Sequence, residues 1–193
     1  MKKYFEETLP ENYEAAKTVD ATNKKTGVIM NLVGLAVMAV GVLISFLVIK
    51  PRDFFGNYDL IAMAVFCAVL LVYIVLHELV HGIAYKLLTK RKLKFGISLT
   101  AAYCGVPDVY VYRRCALISL FAPFVIFTVV FTAAAFLLSD PWHKFYCSVA
   151  LCAHLGGCVG DIYDIILYLT VFRDPETLMR DTGPKQTFYV KKK

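Results

Sequence analysis

Charged residues are scarce in this chain of 193 amino acids. Asp, Glu, Lys and Arg together make up 19% of it, whereas 59% of the residues are hydrophobic and the mean hydropathy is +0.61. Soluble domains contain about 25% charged and about 45–50% apolar residues, so this composition falls outside their range. It excludes a disordered chain and a nucleic-acid module that binds through charge, and it predicts one compact integral membrane domain.

Several other signals are absent. The six cysteines form no CxxC pair and their spacing fits no zinc ribbon, so we interpret them as small apolar side chains within helices. The sequence contains no internal repeat. The first 25 residues are polar and lack the apolar stretch of a secretory signal peptide, so none is expected there.

Four apolar segments are long enough to cross a bilayer as helices, which requires about 20 residues. They run approximately over residues 27–49, 60–88, 116–138 and 145–172. The predicted fold class is therefore an all-α integral membrane protein with four transmembrane helices. We divide the chain into an N-terminal segment (1–26), a four-span membrane domain (27–172) and a C-terminal tail (173–193).

Basic residues are distributed unevenly between the loops. Seventeen lie in the N-terminal segment, the loop between spans two and three, and the C-terminal tail, against three in the other two loops. Because cytoplasmic loops are enriched in Lys and Arg, both termini and the middle loop are predicted to be cytoplasmic. In the N-terminal segment residues 6–17 predict a short surface helix, and Asp174-Pro175-Glu176 predicts a helix start within a polar tail.

Span two carries three ionisable residues next to one another. His77, Glu78 and His81 form an HExxH motif within an apolar helix. Residues i and i+4 lie on one helix face, so the two imidazoles can bind one zinc ion while Glu78 accepts a proton from a water molecule beside it. Polar groups in an apolar helix must satisfy one another or a ligand, which argues against a chance match. We predict a Zn²⁺ site with Glu78 as the catalytic residue, although such ligands also suit other divalent metals.

A hydrolytic zinc site needs a third protein ligand. Asp161 in span four is the favoured candidate, because Glu78 and Asp161 both lie about 15 Å inside the predicted cytoplasmic boundary and the two spans run in the same direction. Asp164 and His154 project from a broadly similar helix face and are the alternative ligands. If His154 is not a ligand, we expect it to hydrogen-bond near the site.

The cytoplasmic loop over residues 92–112 follows the motif directly. Apolar and polar residues partly alternate in it, and a Gly-Val-Pro-Asp turn signal predicts a short β-hairpin between helices two and three. A strand edge beside the metal could align an extended peptide through backbone hydrogen bonds, and Tyr103 is a candidate to reach the site. A plain amphipathic loop with its tyrosines at headgroup level fits the pattern equally well.

These motifs resemble those of the intramembrane metalloproteases, a group that includes the site-2 proteases and the stage IV sporulation protease FB. More closely, the chain resembles a bacterial family of small four-span membrane proteins described as zincin peptidases. The shared features are HELVHG, the LKFG…AAYC…P…YRR loop, LISLFAPF and the Gly-Asp pair at 160–161. The resemblance implies zinc bound by His77, His81 and Asp161, with Glu78 as general base, in the bacterial cytoplasmic membrane. Site-2 proteases carry an Asn-Pro-Asp-Gly-like segment at the third ligand, whereas this chain has no proline there and His154 takes the place of the asparagine.

The leading hypothesis is a zinc-dependent intramembrane endopeptidase that hydrolyses peptide bonds in or next to membrane segments of protein substrates. The alternatives are a catalytically silent metal-binding membrane module that acts through a protein partner, and a metal-ion permease. Glu78 favours the hydrolase, because a metal store or a permease needs no carboxylate between its histidines. The expected partners are a membrane-protein or peptide substrate and the lipid bilayer, not nucleic acid, and homo-oligomer formation is left open.

Overall fold

The structure, a computed structural model, describes residues 3–50, 60–98 and 102–192. Five helices lie within these ranges: α1 (Lys24–Ile49), α2 (Leu60–Thr89), α3 (Arg113–Leu137), α4 (Pro141–Gly157) and α5 (Val159–Thr170). The strands within them are β1 (Phe5–Glu6), β2 (Tyr13–Asp20), β3 (Lys94–Ile97), β4 (Ala102–Gly105), β5 (Tyr110–Tyr112), β6 (Leu178–Asp181) and β7 (Lys185–Lys191).

The helices follow the predicted spans closely. Helices α1, α2 and α3 are each long and apolar enough to cross a membrane, and the bent pair of α4 and α5 provides a fourth span if the two are counted together. The outward faces of these helices expose large apolar side chains, such as Leu32 (60% exposed) and Val48 (74% exposed). Soluble monomers rarely expose extended apolar surface, so the helices are compatible with a multi-pass membrane protein.

The fourth span is broken next to its glycines. Helices α4 and α5 meet at Cys158 with a bend of 50°. Gly156 packs so closely against Gly34 of α1 that a Cβ on either residue would overlap the carbonyl oxygen of the other. Beyond the break Asp161 lies in the first turn of α5, where the helix dipole favours a negative side chain. The break therefore places this carboxylate at a helix N-terminus in the middle of the span.

A five-stranded antiparallel sheet collects the segments outside the spans. Its strand order is β1-β5-β6-β7-β2, so strands from the N-terminal segment, the middle loop and the C-terminal tail lie together. The largest buried core lies where this sheet meets the ends of α2, α3 and α5, and it includes Tyr85, Cys115, Tyr168 and Phe188. The three basic segments thus share one side of the helices. That this side is cytoplasmic stays a prediction.

Three expectations outside the spans require correction. The all-α class omits the five-stranded sheet, although the described residues are mostly helical. The surface helix predicted over residues 6–17 is wrong, because Tyr13–Asp20 form strand β2. The helix start predicted at Asp174-Pro175-Glu176 is also wrong, and the tail forms strands β6 and β7. In each case pairing with a strand distant in sequence overrides the local preference.

The hairpin predicted between helices two and three is confirmed. Strands β3 and β4 pair antiparallel, with Phe95 opposite Cys104, so the plain-loop alternative is wrong. The Gly105–Asp108 turn does not close this hairpin but leads from β4 towards β5 in the larger sheet, and residues 99–101 lie outside the described part. The hairpin packs against the motif helix at Gly82, where a Cβ would meet the ring of Phe95.

Candidate metal centre

The three residues favoured as ligands meet between α2 and α5. Nε2 of His77 lies 3.2 Å from Oδ2 of Asp161, and Nε2 of His81 lies 3.4 Å from the same oxygen. Ligand atoms around a tetrahedral zinc ion, with bonds of about 2.0–2.2 Å, lie roughly 3.3–3.6 Å apart. These two distances are therefore close to the edge of a zinc coordination tetrahedron, and the ligating atoms of His77, Glu78 and His81 also lie within 4.8 Å of one another. Within the described chain no ion pair joins Asp164, the alternative ligand, to either histidine.

The tautomer of His81 follows from its hydrogen bond to α3. Nδ1 of His81 lies 2.9 Å from the carbonyl oxygen of Ser119, and the hydroxyl of Ser119 donates in return to the carbonyl of His81. A carbonyl oxygen can only accept, so Nδ1 must carry the proton. In a neutral imidazole Nε2 then carries a lone pair, and this lone pair is directed at Asp161.

A chain of hydrogen bonds sets the tautomer of His77 in the same way. Nε2 of His154 lies 3.1 Å from the carbonyl oxygen of Phe124 and must donate to it. Nδ1 of a neutral His154 is then an acceptor, and the Tyr73 hydroxyl donates to it over 2.7 Å. The oxygen of Tyr73 in turn accepts from Nδ1 of His77 at 3.1 Å. His77 therefore also presents an Nε2 lone pair to Asp161.

With both imidazoles neutral, three lone-pair atoms face one another: the Nε2 atoms of His77 and His81 and Oδ2 of Asp161. The imidazoles are buried, with 7% and 6% of the residue surface exposed, whereas 20% of the Asp161 side chain is exposed. A bound cation, or a proton on Nε2 that is donated to Asp161, removes the repulsion between these lone pairs. Two imidazoles and one carboxylate form the donor set of hydrolytic zinc sites, so the residues present fit a zinc ion.

Glu78 lies next to this set. One carboxylate oxygen of Glu78 lies within 4.8 Å of ligating atoms of both His77 and His81. The backbone N–H of Cys104 in strand β4 lies near the carboxylate and favours its negative charge. Glu78 is only partly buried and lines a cavity, whereas Ser119, the hydrogen-bond partner of His81 on α3, is buried and does not line it.

A second group of ligating atoms lies on the far side of His77. It consists of His77, His154 and Cys158. The hydroxyl of Tyr73 already bonds Nδ1 of both histidines, and the rings of Phe127 and Phe131 pack against His154. His154 and Cys158 do not line the cavity, so a metal ion bound there could not meet a substrate.

The cavity that reaches the convergent ligands has a volume of about 460 Å³. Its lining includes Tyr103, together with residues of α1 and of the five-stranded sheet. Asp181 of strand β6 is among them. Burial raises the pKa of the Asp181 carboxyl to about 6, although Gly183 N–H and the Tyr85 hydroxyl donate hydrogen bonds to it. A cavity of this size holds a small ligand or a short stretch of peptide.

The residues that orient the histidines were not predicted from the sequence, apart from His154. Tyr73 lies four residues before His77 and therefore on the same helix face, so its position in the motif helix was a usable signal. Ser119 and Phe124 act through backbone carbonyls, which leave no signature in the side-chain pattern.

A family of known proteins matches the part of the chain that contains these residues. The profile of the family DUF3267, described as "putative zincin peptidase", matches residues 70–178, more than half of the chain. The matched range contains the whole motif of α2, the hairpin, α3 and Asp161. No curated protein and no solved structure matches the chain.

Proposed function

The chain belongs to the zincin peptidase family, and we propose that it is a zinc-dependent intramembrane endopeptidase that hydrolyses peptide bonds in or next to membrane segments of protein substrates. Family membership supports a zinc metalloprotease. The observation that carries the finer proposal is the convergence of His77, His81 and Asp161 beside Glu78, at a cavity between apolar helices. The relation to site-2 proteases stays a prediction.

In this proposal the Nε2 atoms of His77 and His81 and a carboxylate oxygen of Asp161 hold the metal. A zinc ion bound there lowers the pKa of a coordinated water molecule and polarises a neighbouring carbonyl. Tyr73, with His154 behind it, and the Ser119 carbonyl hold both imidazoles in the tautomer that presents Nε2 to the metal. Hydrogen-bonded partners of this kind orient metal ligands in many proteins.

Glu78 is the proposed general base. Its carboxylate accepts a proton from the attacking water as the oxygen bonds to the scissile carbonyl carbon. It then delivers that proton to the amide nitrogen as the C–N bond breaks. The nearby backbone N–H of Cys104 favours the negative charge of this carboxylate.

Strand β4 is the element that we propose aligns the substrate. Ala102, Tyr103 and Cys104 line the cavity, so the strand borders the space beside Glu78. A peptide hydrogen-bonded along a strand edge is extended and exposes its carbonyl groups. An intact helix uses those carbonyls internally, so a substrate helix must unwind locally before cleavage.

The experiment compares wild type with Glu78→Gln, both purified in detergent, loaded with zinc and mixed with membrane vesicles from the source organism. New peptide N-termini are then identified by mass spectrometry. General-base catalysis contributes about 10²- to 10⁴-fold, so we expect cleavage near membrane segments to fall by at least about 10²-fold in Glu78→Gln while zinc content is unchanged. Glu176→Gln, at an exposed position of the tail, is the matched control.

Equal patterns of new N-termini in wild type and Glu78→Gln would overturn the proposal and leave a catalytically silent metal-binding module. Loss of zinc in Glu78→Gln would assign Glu78 a structural role instead. Cleavage confined to soluble loops would keep a zinc protease but reject action at membrane segments.

A further inference from the structure

The cavity extends beyond the convergent ligands to a second acidic region. Asp164 of α5 lies one helical turn beyond Asp161, in the direction of the five-stranded sheet. Asp181 lies on strand β6 of that sheet. Both residues line the cavity, and each has 4% of its surface exposed. The proposed catalytic mechanism uses neither of them.

The charges that line this cavity are unbalanced. Four carboxylates contribute to its described wall, those of Glu78, Asp161, Asp164 and Asp181, and no Lys or Arg does. One bound zinc ion would balance two of them. Lys17 acts on Asp164 through its charge, but its ammonium group lies outside the cavity and donates to the Tyr163 hydroxyl at 2.9 Å. A cationic group that enters the cavity therefore meets acidic side chains and no Lys or Arg among the described lining residues.

Asp164 in particular has a vacant acceptor. Its Oδ1 atom is buried and has no hydrogen-bond partner among the described residues. Asp181, by contrast, accepts from Tyr85, Gly183 and Gln186. A buried acceptor without a partner is unfavourable, so a donor from a ligand that reaches it would be bound with a corresponding gain.

A metal ion is not the cation that the geometry favours here. Among the described residues no ion pair joins Asp164 or Asp181 to a histidine, whereas Asp161 lies 3.2 and 3.4 Å from Nε2 of His77 and His81. Helix α1 contributes the apolar side chains of Met30, Leu35 and Met38 to the cavity wall, together with the polar Asn31. Lys and Arg side chains bury their aliphatic stems on such surfaces while the charged head meets a polar group.

We infer that the cavity between Asp164, Asp181 and α1 is a specificity subsite for a basic side chain of the substrate, whose ammonium or guanidinium group binds Asp164. The inference rests on the proposed protease function. It also fits the predicted orientation, because membrane segments carry Lys and Arg at their cytoplasmic flank and the subsite lies on the predicted cytoplasmic side of the metal centre. The enzyme would thus cleave close to such a flank.

The test measures binding without cleavage. The full chain carrying Glu78→Gln is purified in detergent, loaded with zinc and titrated with N-acetyl-Leu-Arg-amide or with the citrulline analogue, which has the same shape and no charge. We expect the arginine probe to bind at least about tenfold more tightly, the ratio typical of one charged hydrogen bond in a buried site. Asp164→Asn, which preserves shape, should abolish this preference and Asp181→Asn should reduce it. Asp108→Asn, at the exposed β4–β5 turn, should leave it unchanged.

Equal affinity for the two probes, no detectable binding of the arginine probe, or an arginine preference that survives Asp164→Asn would each overturn the inference. Thermal unfolding of each variant verifies that it is folded. Because this assay involves no hydrolysis, it separates the two proposals. Failure of proteolysis appears as the absence of Glu78-dependent cleavage, whereas failure of the subsite appears as loss of the preference between probes with cleavage intact.

Discussion

Pro123 lies four residues after Ser119 in α3, and this spacing leaves the Ser119 carbonyl available to His81. In a regular helix the N–H of residue 123 would donate to the carbonyl of residue 119, but proline has no N–H. Nδ1 of His81 takes the vacant acceptor at 2.9 Å. A residue that weakens α3 therefore supports the tautomer that His81 needs as a ligand.

Replacing this proline should lower the affinity for zinc without lowering the stability of the fold. In Pro123→Ala the restored N–H competes with His81 for the Ser119 carbonyl, so we expect zinc affinity to fall by about tenfold, the low end for loss of a partner that orients a ligand. The helix itself gains a hydrogen bond, so the unfolding temperature of the zinc-free protein should stay equal or rise. Zinc titration and thermal unfolding in detergent measure the two effects.

Pro141→Ala is the control for this substitution, because Pro141 stands in the first turn of α4, where a helix leaves its N–H groups unpaired. Unchanged zinc affinity in Pro123→Ala would show that the Ser119 carbonyl can accept from His81 and from the restored N–H at the same time. The proline would then have no role in the site.

Removal of the Tyr73 hydroxyl should weaken zinc binding through His77. Tyr73→Phe keeps the ring, which packs edge-on against Phe127 and Phe131, but takes away the acceptor for Nδ1 of His77. We expect the dissociation constant for zinc to rise about 10- to 100-fold, as is typical when such a partner is lost. Tyr146 lies near the N-terminal end of α4, eight residues before His154, and its ring contacts Phe66 of α2. Tyr146→Phe should therefore bind zinc like wild type. Equal affinity in both variants would contradict the hydrogen-bond chain.

The crossing of α1 and α4 should not tolerate a methyl group. In Gly34→Ala the new Cβ would overlap the carbonyl oxygen of Gly156, and the backbones must separate. Overpacking of this kind costs about 1–3 kcal/mol, which should appear as a lower unfolding temperature in detergent. Gly160→Ala is the matched control, because its Cβ would meet no atom within 4 Å among the described residues. Similar unfolding temperatures for the two variants would reject this close crossing.

The buried carboxyl of Asp181 should make stability depend on pH. Its pKa is raised by burial from 3.8 to about 6, so the folded chain holds this proton more tightly than the unfolded chain does. The folded state therefore loses stability as the pH rises from about 4 to about 6. Asp181→Asn removes this contribution, so the variant should gain stability relative to wild type over that interval. Denaturant titrations of the zinc-free proteins at several pH values measure the difference in free energy of unfolding between variant and wild type. A difference that does not change with pH would contradict this prediction.

The helices could be predicted because each carries its own signal. A run of about 20 apolar residues indicates a span whatever surrounds it. Strands β2 and β7 carry no comparable signal, since Glu14, Ala15 and Ala16 prefer helices and the partner strand lies some 170 residues away in the chain. Such a pairing depends on contacts between segments that are distant in the sequence, so β2 and β7 were not predicted.

The candidate site also combines residues that the sequence pattern indicates with residues that it does not indicate. The spacing of His77 and His81 is local, and Asp161 was favoured because depth in a membrane can be counted along a helix. The structure brings these three side chains together, and their role as ligands stays a proposal. The carbonyls of Ser119 and Phe124 and the vacant acceptor of Asp164 depend on how helices face one another, which residue order alone does not specify.

The most direct test of the account is the zinc content of the purified full chain, for wild type beside His77→Ala, Asp161→Ala and Asp164→Ala. The account predicts about one tightly bound zinc ion per wild-type chain, lost in the first two variants and retained in Asp164→Ala. Retention of zinc in Asp161→Ala together with its loss in Asp164→Ala would transfer the third ligand to Asp164. A wild-type chain that binds no zinc even after reconstitution would contradict the metal centre and the proposed protease activity with it.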